Sequence, residues 1–476
     1  MFVPVVLAAY QLMPSRWRWA VLLSASIAFY AALRMPLLVV AWTFVVFTSY
    51  WLGGRIYDES NAIKKRTYLW AGVAAQIVIL GSIKYLRPIL RLIAPGFEIP
   101  TGGMNWVSTL GISYYTLQAV SYLADVYLGT AEPERHLGRF ALYLGFFPKL
   151  LQGPIERAGD LLPQLRSLGS FNYPNVRSGA LLFCWGLFKK VAVANRLAPF
   201  VTAVYHDPHG YNGISLIAAT YMYALQILAD FSGYTDMALG VALMFNIRLT
   251  ENFKYPYFAT SIADFWRRWH ISFSRWILDY IFKPLQIEWR NARTIGVVGA
   301  LMVTFLFSGL WHDVALTFMV WGLLHGAFLA SSVMLKPWRE RVYRKIGVAN
   351  HPWRPAFQRI ITFNLVAFAW IFFRARSIAD SWYVVTHLFV GAATRISYAT
   401  TVRGGLLGAI LNGGSARDFA MLGIAMMVWF LGSTFRTTIK IQEQPIWLRW
   451  SMYYALILAL VYLNAYDDVG FVYFQF

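Results

Sequence analysis

The sequence predicts an all-α, polytopic membrane protein, and three observations lead there. Of its 476 residues, 58% are hydrophobic and 13% charged, against roughly 45–50% apolar and a quarter charged in soluble proteins. Apolar stretches close to the ~20 residues needed to cross a bilayer recur along the whole chain. No polar run of about 30 residues or more separates them, so residues 1–476 read as one membrane domain without a soluble appendage.

Taken in order, the candidate spans are centred in 19–34, 36–52, 68–86, 106–128, 136–152, 176–199, 213–246, 294–311, 314–335, 356–373, 404–435 and 446–465. The residues up to Met13 are apolar but short for a span, and they lack the basic leading region of a signal peptide, so a half-inserted helix is expected there. Orientation follows from basic loops. Between Lys336 and Arg359, the cations Lys336, Arg339, Arg341, Arg344, Lys345, Arg354 and Arg359 face the single acid Glu340, which marks this connection as cytoplasmic. The stretch Arg436 to Arg449 repeats the signal more weakly. With both on the cytoplasmic side, the last span carries the C-terminal tail to the opposite face.

Between 260 and 284 the pattern changes from a span to an amphipathic segment. Trp266, Trp269, His270, Phe273, Trp276, Ile277 and Tyr280 recur at helical spacing on one face, with Asp264, Arg268, Arg275 and Asp279 on the other. Ser261 followed by Asp264 resembles a capping box, and Pro284 lies near the expected end. An interfacial or re-entrant helix is predicted; a cytoplasmic helix packed on the bundle is the plainer alternative.

The 42 Lys plus Arg against 22 Asp plus Glu give a formal charge of +20, which suits an anionic lipid surface or nucleic acid. The cations fall in short clusters between apolar runs and no recognition motif accompanies them, so membrane lipid is the expected partner and nucleic acid is not. The lone Cys184 allows neither an intramolecular disulfide nor a multi-cysteine zinc site. The pair His206 and His209 sits in a Pro/Gly turn without an evident third ligand, so no metal is expected. His136, His351 and His387 lie in or beside polar connections.

His270 and His312 differ, because an ionisable group embedded in apolar sequence is costly and points to a functional site. A neutral imidazole beside a hydroxyl can take its proton as the oxygen attacks a carbonyl, the requirement of acyl transfer. His325 lies thirteen residues beyond His312, about 20 Å of helical rise, and reads as structural. Asp230 and Asp236 read as charge partners or hydrogen-bond acceptors. There is no Gly-x-Ser-x-Gly elbow, His-Glu-x-x-His pair or phosphate-cradling loop to compete.

Several motifs then occur together in one order. They are Gly111-Ile112-Ser113-Tyr114-Tyr115, Phe147-Pro148-Lys149-Leu150-Leu151-Gln152-Gly153-Pro154-Ile155, Asp230-Phe231-Ser232-Gly233-Tyr234-Thr235-Asp236-Met237-Ala238, and Glu251-Asn252-Phe253. Asp264-Phe265-Trp266-Arg267-Arg268-Trp269-His270-Ile271-Ser272, Gly309-Leu310-Trp311-His312 and Phe372-Phe373-Arg374-Ala375 follow. The set resembles the membrane-bound O-acyltransferases, in particular their bacterial alginate O-acetyltransferase-like branch. The chain departs from that branch at Asp313, where Gly is common, and at Gln286-Ile287-Glu288, where a Gly-Gly turn is usual.

The resemblance implies about 11–13 transmembrane helices around a central funnel with re-entrant helices. It implies His312 as the catalytic residue and His270 as the second family histidine. The donor would be acetyl-CoA or an acyl-carrier thioester on the cytoplasmic side, with no bound cofactor. The acceptor would be an exported or cell-wall polysaccharide, reached with an extracytoplasmic SGNH-type enzyme, and the location a bacterial cytoplasmic (inner) membrane. The aromatic hexapeptide Phe471 to Phe476 resembles a family terminal motif whose tyrosine carries the acyl group, which makes Tyr473 the acyl-carrier candidate. A phenol suits the role because its ester is a better donor than an alkyl ester; a simple interfacial anchor is the alternative. Arg267, Arg268 and Arg275 are donor-binding candidates, facing either the phosphates of acetyl-CoA, an acidic carrier or lipid headgroups. Two other functions fit the same chain: D-alanyl transfer from a carrier protein to a cell-wall polymer, and non-enzymatic transport of a lipid-linked sugar. The paired broken helices expected of a transporter are not evident.

Overall fold

The computed structural model describes residues 1–85, 111–347, 350–390, 416–438, 444–465 and 470–471. Its N-terminal part contains α1 (Phe2–Leu12), α2 (Arg18–Ala31), α3 (Pro36–Asp58), α4 (Ala62–Leu80), α5 (Ile112–Tyr127), α6 (Leu137–Gly145) and α7 (Ala158–Arg166). Next come α8 (Tyr173–Phe188), α9 (Asn195–His206), α10 (Gly213–Met244) and three short helices, α11 (Ile262–Trp266), α12 (Ile271–Ile277) and α13 (Lys283–Glu288). The chain continues through α14 (Arg293–His312), α15 (Leu316–Met334), α16 (Lys336–Lys345), α17 (Arg354–Arg374), α18 (Ile378–His387), α19 (Ala416–Thr438) and α20 (Ile446–Tyr462). Among the described residues, six helices are long and apolar enough to cross a membrane: Pro36–Asp58, Ala62–Tyr85, Gly213–Met244, Arg290–His312, Leu316–Met334 and Arg354–Arg374. The protein is an all-α, polytopic membrane protein. Exposed side chains such as Phe44, Phe47, Trp51, Ile77, Val78 and Ile361 cover these helices outward, as a lipid solvent requires.

Two apolar cores organise the bundle. One gathers α1 to α7 around Tyr115, Tyr122, Phe140 and Tyr143; the other joins α9, α10, α14, α15 and α17 around Tyr223, Trp321 and Trp370. The long α10 belongs to both, since Leu239 and Ala242 pack in the first core and Ala219 and Tyr223 in the second.

Close helix contacts depend on glycine. A Cβ on Gly186 would lie 2.4 Å from the carbonyl oxygen of Gly233, and one on Gly179 would lie 2.4 Å from that of Gly240. The two pairs are each seven residues apart and run in opposite senses, so they form one small-residue seam between antiparallel α8 and α10. Gly309 and Gly322 play the same part between α14 and α15, where added Cβ atoms would meet the carbonyls of Phe318 and Phe305 at 2.3 and 2.2 Å.

Three predicted elements change. The stretch expected to span at 136–152 is helical only over Leu137–Gly145 and then turns. Pro148 removes an amide donor and disfavours helix at the residue before it, and Pro154 repeats the effect. The stretch expected at 176–199 lies within a longer helical rod, α8 to α9, with a π-helical segment at Lys189–Ala194. The single helix predicted over 260–284 is broken: α11 stops at Trp266 and α12 starts after His270, whose φ of +41° lies in the left-handed region. Pro284 also opens α13 instead of closing a helix, a position where its missing amide costs nothing.

Candidate active site

The break at His270 is held from outside. Asn252 accepts the Ile271 amide on its carbonyl at 3.0 Å and the Ser272 amide on Oδ1 at 3.1 Å. These are two of the amides that a helix start leaves unpaired. The Lys254 amide donates to the Arg268 carbonyl at 2.9 Å, and Ser272 Oγ accepts the Ile155 amide at 3.0 Å. The Asn252 segment and the turn after α6 therefore clamp the loop on two sides. On the other flank Ser261 caps α11 by accepting the Asp264 amide at 3.1 Å, while Asp264 accepts the Thr260 amide at 3.2 Å. Every residue predicted for the apolar face is buried or half-buried, so the periodicity identified the correct face although the helix is interrupted.

The clamp turns the His270 ring into the bundle, where it is 1% exposed. Phe231 meets it edge-on at 4.8 Å between centroids, Phe273 lies at 5.2 Å, Trp311 at 6.2 Å, and Tyr114 stacks at 6.4 Å. His312, in the last turn of α14, is 5% exposed and borders the same wall, 4.8 Å from Trp311 and 6.2 Å from Phe273. Its other side packs on Phe373 at 5.0 Å and Trp321 at 5.2 Å. Two histidines far apart in sequence thus converge on one aromatic partition. Tyr114, Phe273, Trp276 and Trp311 form a small cluster joining α5 of the first core to α14 of the second.

Polar atoms collect at this partition. Both ring nitrogens of His270, Tyr114 Oη, Trp311 Nε1 and Ser308 Oγ are buried without a hydrogen-bond partner among the described residues. Buried polar groups are normally satisfied, because leaving one unpaired costs about 1–3 kcal/mol. A group of them around two histidines fits a site that meets a polar ligand. Ser308 precedes His312 by four residues and so shares its helix face.

The end of α14 is fixed from α4. A π turn at Gly81–Tyr85 brings Lys84 and Tyr85 side by side; Lys84 Nζ donates to the Trp311 carbonyl at 2.7 Å and Tyr85 Oη to the Leu310 carbonyl at 2.8 Å. Helix C-termini need donors for their last carbonyls, and a cation is favoured there. Asp313 uses Oδ1 to accept the Val314 amide at 2.7 Å, which makes it a local cap of the turn after His312.

The remaining candidates separate by location. Arg267 and Arg275 are exposed and Arg268 partly so. Arg268 and Arg267 pair with Asp264 at 3.0 and 3.5 Å. Partial burial acts to raise the Asp264 carboxyl, but the bond from Arg268, the Thr260 amide and the two guanidinium charges hold it below its ordinary value. Tyr473 lies outside the described residues. His325 is a core histidine: fully buried, ringed by Phe265, Trp266 and Trp321, and accepting Trp266 Nε1 on Nδ1 at 3.3 Å. His209 rests on Tyr383, with ring centroids 4.0 Å apart. Asp230 and Asp236 are charge partners as expected, with Lys190 at 2.7 Å and Lys189 at 2.8 Å.

Sequence reasoning missed Tyr114, Trp311, Ser308 and Asn252 as parts of the site. Each stands in or beside a motif, yet only the fold reveals which side-chain atoms are left unpaired. Lys84, Lys189 and Lys190 carried a usable signal, being cations within apolar runs.

Residues 135–374 match the family described as MBOAT, membrane-bound O-acyltransferase family. The chain is 35% identical over 394 residues to a probable alginate O-acetylase AlgI of Azotobacter vinelandii, covering 82% of this chain and 76% of the relative. It is 33% identical over 406 residues to a peptidoglycan O-acetyltransferase of Helicobacter pylori, covering 79% and 74%. A teichoic acid D-alanyltransferase of Bacillus subtilis is 26% identical over 284 residues, 57% of this chain and 70% of that one.

Proposed function

The chain belongs to the membrane-bound O-acyltransferase family, and from that premise we propose that it carries acetyl groups from a cytoplasmic thioester across the bacterial cytoplasmic membrane for O-acylation of an exported or cell-wall polysaccharide. The observation that carries this reading is the convergence of buried His270 and His312 on the partition formed by Trp311 and Phe273, with unpaired polar atoms around it.

His312 takes the proton of the acceptor hydroxyl as that oxygen attacks the thioester carbonyl. The tetrahedral intermediate collapses with cleavage of the carbon–sulfur bond, and the thiolate recovers the proton from the imidazolium. The oxygen that becomes negative needs preorganised donors in a dry site, and the Trp311 indole N–H and Tyr114 hydroxyl are available for that purpose. His270 orients the donor on its approach. Arg267, Arg268 and Arg275 attract the phosphates of acetyl-CoA or an acidic carrier protein. Tyr473 is the first acceptor and passes the acyl group to an extracytoplasmic SGNH-type partner, which completes transfer to the polysaccharide. No bound cofactor or metal takes part in this scheme.

D-alanyl transfer is the second reading, favoured by the similarity to a teichoic acid D-alanyltransferase. The relatives named for O-acetyl transfer are more similar and match a larger share of the chain, which supports acetyl. Transport of a lipid-linked sugar loses its basis once the chain is placed among acyltransferases.

Mass spectrometry of cell-surface glycans tests the scheme. His312→Ala is expected to abolish O-acylation, a loss of at least about a hundredfold for a general base, with the protein still folded in membranes. Tyr473→Phe, which removes only the hydroxyl, is expected to do the same. Normal acylation in the first variant would sink the His312 assignment, and normal acylation in the second would sink the carrier role.

A further inference from the structure

The described residues after α20, Leu463 to Ala465 and Gly470 to Phe471, contact the π-helical segment between α8 and α9 and the first turn of α9. Arg196 donates to the carbonyls of Leu463 and Asn464 at 3.0 and 3.3 Å, and the Ala465 amide donates to the Val191 carbonyl at 3.0 Å. Farther on, Lys190 Nζ donates to the Gly470 carbonyl at 3.0 Å and stands 4.4 Å from the centre of the Phe471 ring. The same ammonium is held by Asp230 at 2.7 Å, and the Lys190 side chain is 8% exposed. One buried cation therefore joins α10 to the terminal segment.

The place of this contact relates it to the candidate active site. Asp230 adjoins Phe231, which meets His270 edge-on. Tyr234, three residues along α10 and on the same helix face, meets Phe471 edge-on at 5.4 Å. Phe471 thus packs on Tyr234, about one helical turn along α10 from the Phe231 that meets His270.

The geometry points to Lys190 as a positioning residue: fixed by Asp230, it anchors Gly470 and Phe471 beside Tyr234, on the helix that carries Phe231 to His270, and so holds the C-terminal segment for its part in the reaction. This rests on the proposed carrier role of the terminal hexapeptide for its purpose, but the anchoring itself does not. A buried ion pair is a costly way to gain stability, since apolar replacement is often neutral. Tethering the terminal segment to α10 accounts for keeping one here. The cation over Phe471 adds an attraction that strengthens when desolvated.

Hydrogen exchange on the full chain in nanodiscs, followed by mass spectrometry, tests the anchor. Two variants are compared with the parent. Lys190→Met with Asp230→Asn removes both charges together, so neither is left buried alone; Phe471→Ala alters only the strap side and covers the case in which the double variant fails to fold. Amides in peptides covering 463–471 are expected to exchange at least about tenfold faster in both variants, with α14 and α15 unchanged. Unchanged exchange in that segment would overturn the anchor. Faster exchange combined with lost glycan acylation supports the anchor and its purpose. Faster exchange with normal acylation would overturn the positioning role of Lys190, while the carrier role is decided separately by Tyr473→Phe.

Discussion

His270 is the residue whose backbone is most informative. Its φ of +41° is a conformation that side-chain-bearing residues adopt at a cost, of order 1–2 kcal/mol, and such outliers concentrate where a precise orientation is needed. The clamp from Asn252 and Ser272 stabilises it. A pair of substitutions separates ring from backbone. His270→Ala and His270→Gly lose the same imidazole, but glycine relieves the strained φ, so the Gly variant is expected to be more stable than the Ala variant by about 1 kcal/mol. Chemical or thermal unfolding in detergent would measure it. Equal stabilities, or a more stable Ala variant, would falsify the claim that strain is stored there. Both variants are expected to lose acylation.

Among the elements, the α8–α10 seam governs how the charged layer is built. The Gly186–Gly233 contact brings the two helices together just before the π segment that presents Lys189 and Lys190 to Asp236 and Asp230. Gly186→Val would drive a side chain against a backbone oxygen, which cannot rotate away. Overpacking of this kind costs about 1–3 kcal/mol, and it is expected to lower the unfolding temperature and to disturb the lysine–aspartate pairs. Gly81 is the matching control, since nothing lies within 4 Å of a Cβ added there. Gly81→Ala is expected to leave stability unchanged within about 0.5 kcal/mol. Similar losses in both would show that the seam has no special tightness.

For the whole molecule, orientation is a prediction: the basic connection through α16, with Lys336, Arg339, Arg341, Arg344 and Lys345 all on one short helix, is expected in the cytoplasm. If α17, α19 and α20 each cross from there, the terminal segment is expected on the opposite face. A reporter fused after Phe476 is expected to register as extracytoplasmic, by alkaline phosphatase activity, for example. A cytoplasmic readout would reverse the direction proposed for the acyl group. Among the described residues the two cores share α10 and are bridged by the aromatic partition.

Much of this was legible in the residues alone. Hydrophobic content and span-length apolar runs determine a helical membrane protein, because hydrocarbon leaves the backbone no other way to satisfy its amides without a barrel. The ordered motifs, with their two embedded histidines, led to the acyltransferase family, and the periodicity of 260–284 found the buried face. The tertiary structure alone decided the rest. Local sequence could not show that Asn252 would break the helix at His270, that Lys84 would hold the end of α14, or that Lys190 would capture Gly470. Each is a hydrogen bond between segments distant in the chain, and a side chain's pattern of neighbours in sequence carries no record of which remote carbonyl or amide the fold will leave in need of a partner.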